Sequence, residues 1–265
     1  MTQKNPRNKF PRITLITPSF NQGTFIEKTI QSVLSQKYPN LEYIILDGGS
    51  QDETLQILQK YKRKIRYVSK KDSGQSNAIN QGIRNTSGKI IGYLNSDDYL
   101  EKDALYNIAV FFMKEKHIMW VTGKCHIVDS TGQEVRKLIT VYKNSFLKFF
   151  RHRWAFYIVQ YISQPATFWR RSIVDKIGLF DENLHYDMDF DYWIRIWKKY
   201  PLGFLDTYLA SYRVHPFSKA VSSPETQFQT SSKILEKHIH SRLILFLHMI
   251  HDMLALRLYR LFPAK

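Results

Sequence analysis

ITLITPSFNQGTFIEKTIQSVLSQKYPNLEYIILDGGSQDET, residues 13–54, decides the fold class. Its opening, ITLIT, is a short apolar, β-branched run that Pro18 ends. After SFNQG, residues Phe25, Ile26, Ile30, Val33 and Leu34 recur at spacings of three and four, the period of a helix with one buried face. Tyr38-Pro39-Asn40 breaks that helix, LEYIILD (41–47) reads as a second buried strand, and Gly48-Gly49-Ser50 turns the chain. Asp52 stands where it caps the next helix, ETLQILQKY. Outward from there, IRYVS (65–69) is a third strand, KKDSGQ a polar loop, NAINQGIRN a helix and KIIGYLN (89–95) a fourth strand. Strand and helix alternate throughout, which predicts an α/β fold: a Rossmann-like, mostly parallel central sheet flanked by helices.

The pattern loosens toward the C-terminus. Residues 103–116 read as a helix, 119–129 as a strand and STGQE as a turn. QPATFWRRSIVDKIG reads as a strand followed by a helix. DFDYWIRIWKKY is an amphipathic helix whose Trp193 and Trp197 belong to the core. The expected organisation is one domain over 1–223, with halves at 12–100 and 101–223, followed by an amphipathic helical tail at 224–265.

With 265 residues, 43% hydrophobic and 14% aromatic, the chain can bury a large core, which excludes collagen, coiled coil and wholesale disorder. The single cysteine, Cys125, excludes an internal disulfide framework and a cysteine-based zinc site. MTQKNPRNKFPR contains no apolar run, and no stretch reaches the roughly 18 apolar residues of a spanning helix, so the expected location is cytoplasmic. Lys+Arg 39 against Asp+Glu 23 leaves a net charge of +16. Such a surface suits nucleic acid, anionic lipid headgroups or phosphorylated substrates.

In a doubly wound sheet, ligands bind beyond the carboxyl ends of the strands. Here those ends carry Thr17-Pro18-Ser19-Phe20-Asn21, Asp47-Gly48-Gly49-Ser50, Asp72-Ser73-Gly74-Gln75 and Asn95-Ser96-Asp97-Asp98. Turn residues alone explain any one of them; four at one edge indicate a site. Adjacent carboxylates repel unless a cation or donor compensates, and Mg²⁺ takes one or two carboxylates together with phosphate oxygens. Asp97-Asp98 therefore points to a metal-bridged nucleotide diphosphate. Neither GxxxxGK[ST] nor GxGxxG is present.

Over roughly residues 12–220 the chain resembles the inverting family-2 glycosyltransferases of the GT-A fold. The resemblance rests on the quoted stretch together with DSGQSNAINQGI, GYLNSDDYL and LHYDMDFDYWIRI, in that order. It implies a nucleotide-sugar donor, an Mn²⁺ or Mg²⁺ ion at a DxD-type motif, and a carboxylate base from a later ED-type motif. Carried over residue by residue, Thr17, Pro18, Ser19 and Asn21 match the first donor loop, and Asp47 and Gly48 the DGGS signature. Asp72 matches the acid of the third loop, with Gln75, Asn77 and Asn80 beside it. Asp98 matches the metal ligand, Asp97 a ribose or metal contact, and Asp189 the catalytic base. His215 resembles a late histidine that completes the metal or diphosphate site, with Arg213 and Lys219 placed to pair with phosphate; a structural role for His215 stays open.

Three departures qualify the match. Gly48 replaces an acid that contacts the base of the nucleotide, Asn95 replaces the first acid of the DxD-type motif, and Met188 replaces the Glu of ED. The processive QxxRW is absent, which favours addition of a single sugar to a saccharide or lipid-linked acceptor, as in bacterial cell-surface polysaccharide or glycolipid synthesis. A sugar nucleotidyltransferase is the nearest alternative, but it calls for a phosphate-gripping basic first loop, and TPSFNQG has none. A basic nucleic-acid-binding module leaves the gathered acids unexplained, so nucleic acid is not an expected partner.

YKNSFLKFFRHRWAFYIVQYI (142–162) interleaves basic and aromatic residues, as an interfacial membrane segment does. A lid packed on its own domain, or a surface for single-stranded nucleic acid, has the same makeup. The tail repeats Leu235, Ile239, Leu243, Phe246, Ile250 and Leu254 at helical spacing, interrupted at His248, His251 and Asp252. Three arrangements stay open for it: lying on a membrane (232–265), packing on the domain, or pairing in a homodimer. The membrane arrangement places the protein peripherally at the inner face of the cytoplasmic membrane.

Overall fold

The computed structural model describes residues 10–261. Its first half follows the predicted alternation: β1 (Ile13–Ser19), α1 (Gly23–Leu34), β2 (Leu41–Asp47), α2 (Thr54–Tyr61), β3 (Arg66–Ser69), α3 (Gln75–Arg84) and β4 (Ile90–Tyr93). Successive strand residues bury on opposite faces of the sheet. Ile13, Leu15 and Ile45 join one apolar cluster, while Ile16, Ile44 and Leu46 join the other. Both faces are covered, so the strands read as continuous apolar runs.

The second half contains β5 (Tyr99–Leu100), α4 (Ala104–Lys114), β6 (Trp120–Val128), α5 (Lys137–Phe149), α6 (Arg153–Val159), β7 (Thr167–Arg170) and α7 (Val174–Ile177). It continues through α8 (Met188–Trp197), β8 (Leu202–Arg213), α9 (Lys219–Ser222), α10 (Pro224–His238) and α11 (Arg242–Leu261). The eight strands form one sheet in the order β3-β2-β1-β4-β7-β6-β8-β5. The β1–β2, β1–β4, β2–β3 and β6–β8 pairs are parallel, and β4–β7, β6–β7 and β5–β8 antiparallel. The sheet is thus mixed, with four consecutive parallel strands at the β3-β2-β1-β4 side and a further parallel pair, β6–β8, beyond β7.

Two elements were not separated in the sequence. The aromatic-basic stretch forms two helices, α5 and α6, and β8 is a 12-residue strand that runs beside β6 through two register shifts. The tail breaks at 239–241 into α10 and α11, and Ile234 and Leu235 of α10 sit in the same apolar cluster as Trp169 and Tyr192. Trp193 stacks on Trp120 at 5.6 Å and Trp197 packs edge-on to it, which puts both tryptophans in the core. Among the described residues, no helix is long and apolar enough to cross a membrane.

Candidate active site

Parallel pairing in register aligns Ser19 with Asp47 and Asp47 with Ser69, so the carboxyl ends of β1, β2 and β3 form one edge. Asp47 is 2% exposed there. Its Oδ2 accepts from the backbone N–H of Gly49 (3.2 Å) and Ser50 (3.0 Å) and from Ser69 Oγ (2.7 Å); its Oδ1 accepts from Ser50 Oγ. The first loop is tied to this cradle. The Asn21 N–H donates to Ser50 Oγ (2.8 Å), and Asn21 Oδ1 accepts from the Gln51 N–H (2.9 Å). Asp52 accepts from Thr54 N–H at the start of α2 and from Gly23 N–H at the start of α1, so one carboxylate holds two helix N-termini.

Thr17 faces the interior, with Oγ1 3.2 Å from the Tyr43 hydroxyl, and Pro18 continues β1 opposite Leu46. Ser19 Oγ is buried without a hydrogen-bond partner among the described residues. A cleft of about 410 Å³ is lined by Asp47, Lys70, Lys71, Asp72, Ser73 and Asn77, among others. Asp72 Oδ1 accepts from Gly74 N–H (2.8 Å), and both Asp72 oxygens lie 3.3 Å from where a Cβ at position 48 would stand. Gly48 therefore leaves Asp72 with no second carboxylate at its side.

The predicted neighbours of Asp72 divide between two tasks. Gln75 Nε2 donates to Asn95 Oδ1 (2.7 Å), reaching the fourth strand end. Asn77 and Asn80 instead donate to Glu182, at 2.7 and 2.8 Å, and Asn80 also brackets Phe180 through its N–H and C=O. These two amides fasten α3 to the loop that leads into α8. Glu182 is a participant that sequence reasoning missed; the ordinary loop composition of DEN carries no signal for it.

Asn95 to Asp98 form a turn closed by Asp98 N–H to Asn95 C=O (3.1 Å), and Thr29 of α1 donates to the carbonyls of Ser96 and Asp98. The turn sends its two acids in different directions. Asp98 is fully buried, with Oδ1 accepting from the Arg213 N–H (2.8 Å). Burial, then the Asp97 charge, pushes its carboxyl well above the usual range. Asp97 keeps 19% of its side chain exposed, with Oδ2 3.1 Å from Nε2 of the buried His215. The sequence reading put Asp98 first as ligand; in the structure Asp97 is the acid that meets His215 and reaches the surface. His215 lies on Phe25 of α1, ring centroids 4.4 Å apart.

His215 Nδ1 and the Nε and Nη2 of Arg213 are buried without hydrogen-bond partners among the described residues. Arg213 is thus a guanidinium with donors unspent beside two acids, which suits an anion drawn into the site. The side chain of Lys219 lies outside the described residues.

Asp189 occupies the first turn of α8, just after Asp187 with its left-handed backbone (φ 51°). Tyr93, at the end of β4, feels the charges of both Asp189 and Asp98, so it neighbours both acidic sites. Lys143 of α5 also lies near enough to Asp189 to feel its charge. The acids flanking Asp189 are committed elsewhere. Asp191 pairs with Arg195 (2.8 Å) and His238 (2.7 Å), and Asp187 Oδ1 accepts from Gln227 Nε2 (2.8 Å). Burial, with Asp189 next, pushes Asp187 up to about 8. Met188 is buried, with Ser76 Oγ 2.7 Å from its Sδ, where a carboxylate would lack water.

Among the described residues, no three His, Cys, Asp or Glu side chains converge on one metal position. The Asp97 carboxylate and His215 imidazole nevertheless fit a divalent ion that takes its other ligands from substrate oxygens.

A mixed sheet of this strand order with acids along one edge has the architecture of the GT-A fold. Two solved structures share the fold. Staphylococcus aureus TarS 1–349 in complex with UDP superposes with a TM-score of 0.63 at 21% identity, over 86% of this chain and 65% of that one. The mannosyltransferase PcManGT from Pyrobaculum calidifontis, in complex with GDP-Man and Mn²⁺, gives 0.68 at 15%, over 96% and 76%. The chain belongs to glycosyl transferase family 2, whose sequence profile matches residues 14–178. Among its relatives is the uncharacterized glycosyltransferase RP339 of Rickettsia prowazekii (strain Madrid E), 29% identical over 207 residues, 77% of this chain and 64% of that protein. Another is TuaG of Bacillus subtilis (strain 168), named a putative teichuronic acid biosynthesis glycosyltransferase, 37% identical over 117 residues, 43% of this chain and 46% of that protein. The chain spans between about a third and two thirds of the length of the Rickettsia relatives it matches.

Proposed function

We propose that this glycosyltransferase moves one sugar from a nucleotide diphosphate sugar to a hydroxyl of a saccharide or lipid-linked acceptor, with inversion, in the synthesis of a bacterial cell-surface polysaccharide or glycolipid. The observation that carries the reading is that Asp189 and the Asp97–Asp98 turn both lie close enough to Tyr93, at the end of β4, for the charges of Asp189 and Asp98 to act on its hydroxyl. The base and the leaving-group site thus share one neighbourhood at the sheet edge. The donor nucleotide lies along Thr17 to Asn21, Asp47, Gly48, Asp72 and Gln75, while Asn77 and Asn80 hold the wall behind it. The acceptor hydroxyl attacks the anomeric carbon and gives its proton to Asp189. The bond from that carbon to the diphosphate oxygen breaks, and the nucleoside diphosphate leaves with the electron pair. Asp191 is engaged by Arg195 and His238, and Asp187 is buried, bonded to Gln227 through Oδ1 and pushed up to about 8, so neither flanking acid is an available carboxylate nucleophile at neutral pH, which supports a single displacement.

Asp97 and His215, with Asp98 behind them, would hold Mn²⁺ or Mg²⁺, which when bound neutralises the charge developing on the diphosphate. Arg213 offers its free donors to the same anion. The donor relationships of the similar folds, UDP and GDP-Man, support the donor class, and the name of TuaG supports the polysaccharide class. The test is hydrolysis and transfer of UDP-, GDP- and dTDP-sugars with Mn²⁺, with Mg²⁺ and with EDTA, for the parent and Asp97→Ala. Turnover should require the cation and fall at least about 100-fold in the variant. Full turnover of Asp97→Ala in EDTA refutes the metal-bridged donor.

A further inference from the structure

α11 turns polar as well as apolar residues inward: beside Ile244 and Leu245, which pack against the core, it buries a histidine and an aspartate. His248 and Asp252 are buried with Nε2 and Oδ2 3.1 Å apart, and Ser231 of α10 lies within 3.4 Å of both. His248 Nδ1 is 3.3 Å from the Ile158 carbonyl of α6. The interruptions that break the apolar pattern of this segment therefore form the seam that fastens the helix to the protein. The opposite face carries Leu243, Phe246, Ile250, Met253 and Leu254, all exposed. Spaced at three and four residues, they make one stripe that nothing among the described residues covers.

A second stripe adjoins it. Tyr142 of α5 stacks on His251 of α11, centroids 6.5 Å apart. From Tyr142 the exposed side of α5 runs through Leu138 (87%) and Val141 to Phe149 (68%), and α6 adds Trp154 (51%). The charges around both stripes are of one sign. No Asp or Glu occurs between Glu134 and Asp175, a stretch that holds eight Lys and Arg, and the one acid of α11 is the buried Asp252. Lys137, Arg151, Arg153, Arg242 and Arg257 are exposed. The bordering acids are already engaged: Asp206 by Lys124 and Lys148, Glu134 by His126.

We propose that α5, α6 and α11 form a docking surface for an anionic lipid bilayer, entering its interfacial layer without crossing it. A second copy of the chain would set arginines against arginines. Nucleic acid would leave the aliphatic stripe of Leu243, Ile250 and Met253 without a stacking partner. An anionic leaflet satisfies both features at once, with the apolar side chains at the acyl boundary and the basic ones among the headgroups. α5 also carries Lys143, which is close enough to Asp189 of α8 for their charges to interact, so a helix of the docking surface borders the candidate base. That arrangement suits a lipid-linked acceptor, the one part of the inference that rests on the functional reading above.

The test is co-sedimentation of the 265-residue chain with phosphatidylglycerol-containing and pure phosphatidylcholine vesicles, at low and high salt, without donor. The parent should bind the anionic vesicles at low salt and release them at high salt. Phe246→Asp/Ile250→Asp should abolish binding, and Arg242→Gln/Arg257→Gln should weaken it about 25-fold, near fivefold per cation removed. These side chains point away from the protein, so both variants should keep the parent's unfolding midpoint and nucleotide affinity. Absent binding, equal binding to neutral vesicles, or unchanged binding by both folded variants overturns the proposal. So does a dimer in sedimentation velocity that Phe246→Asp dissociates, or tighter binding to a single-stranded oligonucleotide than to anionic vesicles. None of these results depends on catalysis, so the docking surface can fail while the glycosyltransferase reading stands, and the reverse.

Discussion

Asp47→Asn tests whether the donor cradle is built by one buried carboxylate. Three donors converge on Oδ2, the N–H groups of Gly49 and Ser50 and the Ser69 hydroxyl, and Ser50 Oγ bonds Oδ1. Asparagine keeps the shape and can leave its carbonyl oxygen at the Oδ2 position. The three bonds survive but lose their charge. Hydrogen bonds to a charged group contribute about 1.5–3 kcal/mol and neutral ones about 0.5–1.5, so each bond weakens by about 1 kcal/mol. At the other position the Ser50 hydroxyl can rotate to accept from the new amide, so the fourth contact changes least. The expected loss of stability is about 3 kcal/mol, read by urea unfolding with an unchanged m-value. Because Ser50 and Gln51 hold Asn21, a loosened cradle should also weaken nucleotide diphosphate binding, measured by calorimetry. A variant within about 0.5 kcal/mol of the parent refutes the cradle argument. Unchanged stability with lost binding would instead assign Asp47 a direct contact with the donor.

Two further predictions concern α8. Asp189→Asn should lower kcat by about 10²–10⁴-fold while leaving the donor Kd near the parent's; near-parental turnover would move the base elsewhere. Asp187, pushed up to about 8 by burial and by Asp189, holds a proton in the folded state that the unfolded chain has already lost. The folded protein therefore binds more protons between about pH 4 and 8, and its stability falls as pH rises through that window, then levels. Asp187→Asn keeps the oxygen that accepts from Gln227 and should flatten this slope, gaining stability over the parent at pH 8; an unchanged slope in thermal melts across pH 4–9 counts against a buried, protonated Asp187.

Much of the first half was legible because local periodicity and tertiary packing agree there. ITLIT and LEYIILD are apolar on both faces, and in the structure helices cover both faces, so the sequence pattern and the burial coincide. The acids at the strand ends were legible as a group, since parallel register forces the ends of adjacent strands to one edge. What local pattern could not carry was direction. Asp97 and Asp98 are neighbours of one type, and only the turn closed by Asn95 and held by Thr29 sends one to His215 and buries the other beneath Arg213. Asn77 and Asn80 lie in a donor-side segment but serve Glu182, about a hundred residues away, a pairing that depends on loop closure and not on spacing.

The C-terminal helices show the same division. Sequence alone indicated helix beyond Pro224, because apolar residues recur at three and four, and among the described residues that helix forms as α10 and α11. It did not determine which face turns inward, since a helical period specifies a stripe and not what the stripe meets. On α10 the apolar residues Ile234 and Leu235 enter the core; on α11 the buried positions belong to His248 and Asp252, which satisfy one another and Ser231, and the apolar stripe is left outside. Hydrogen-bond satisfaction across three helices decided that orientation, and it exists only once α6, α10 and α11 have come together.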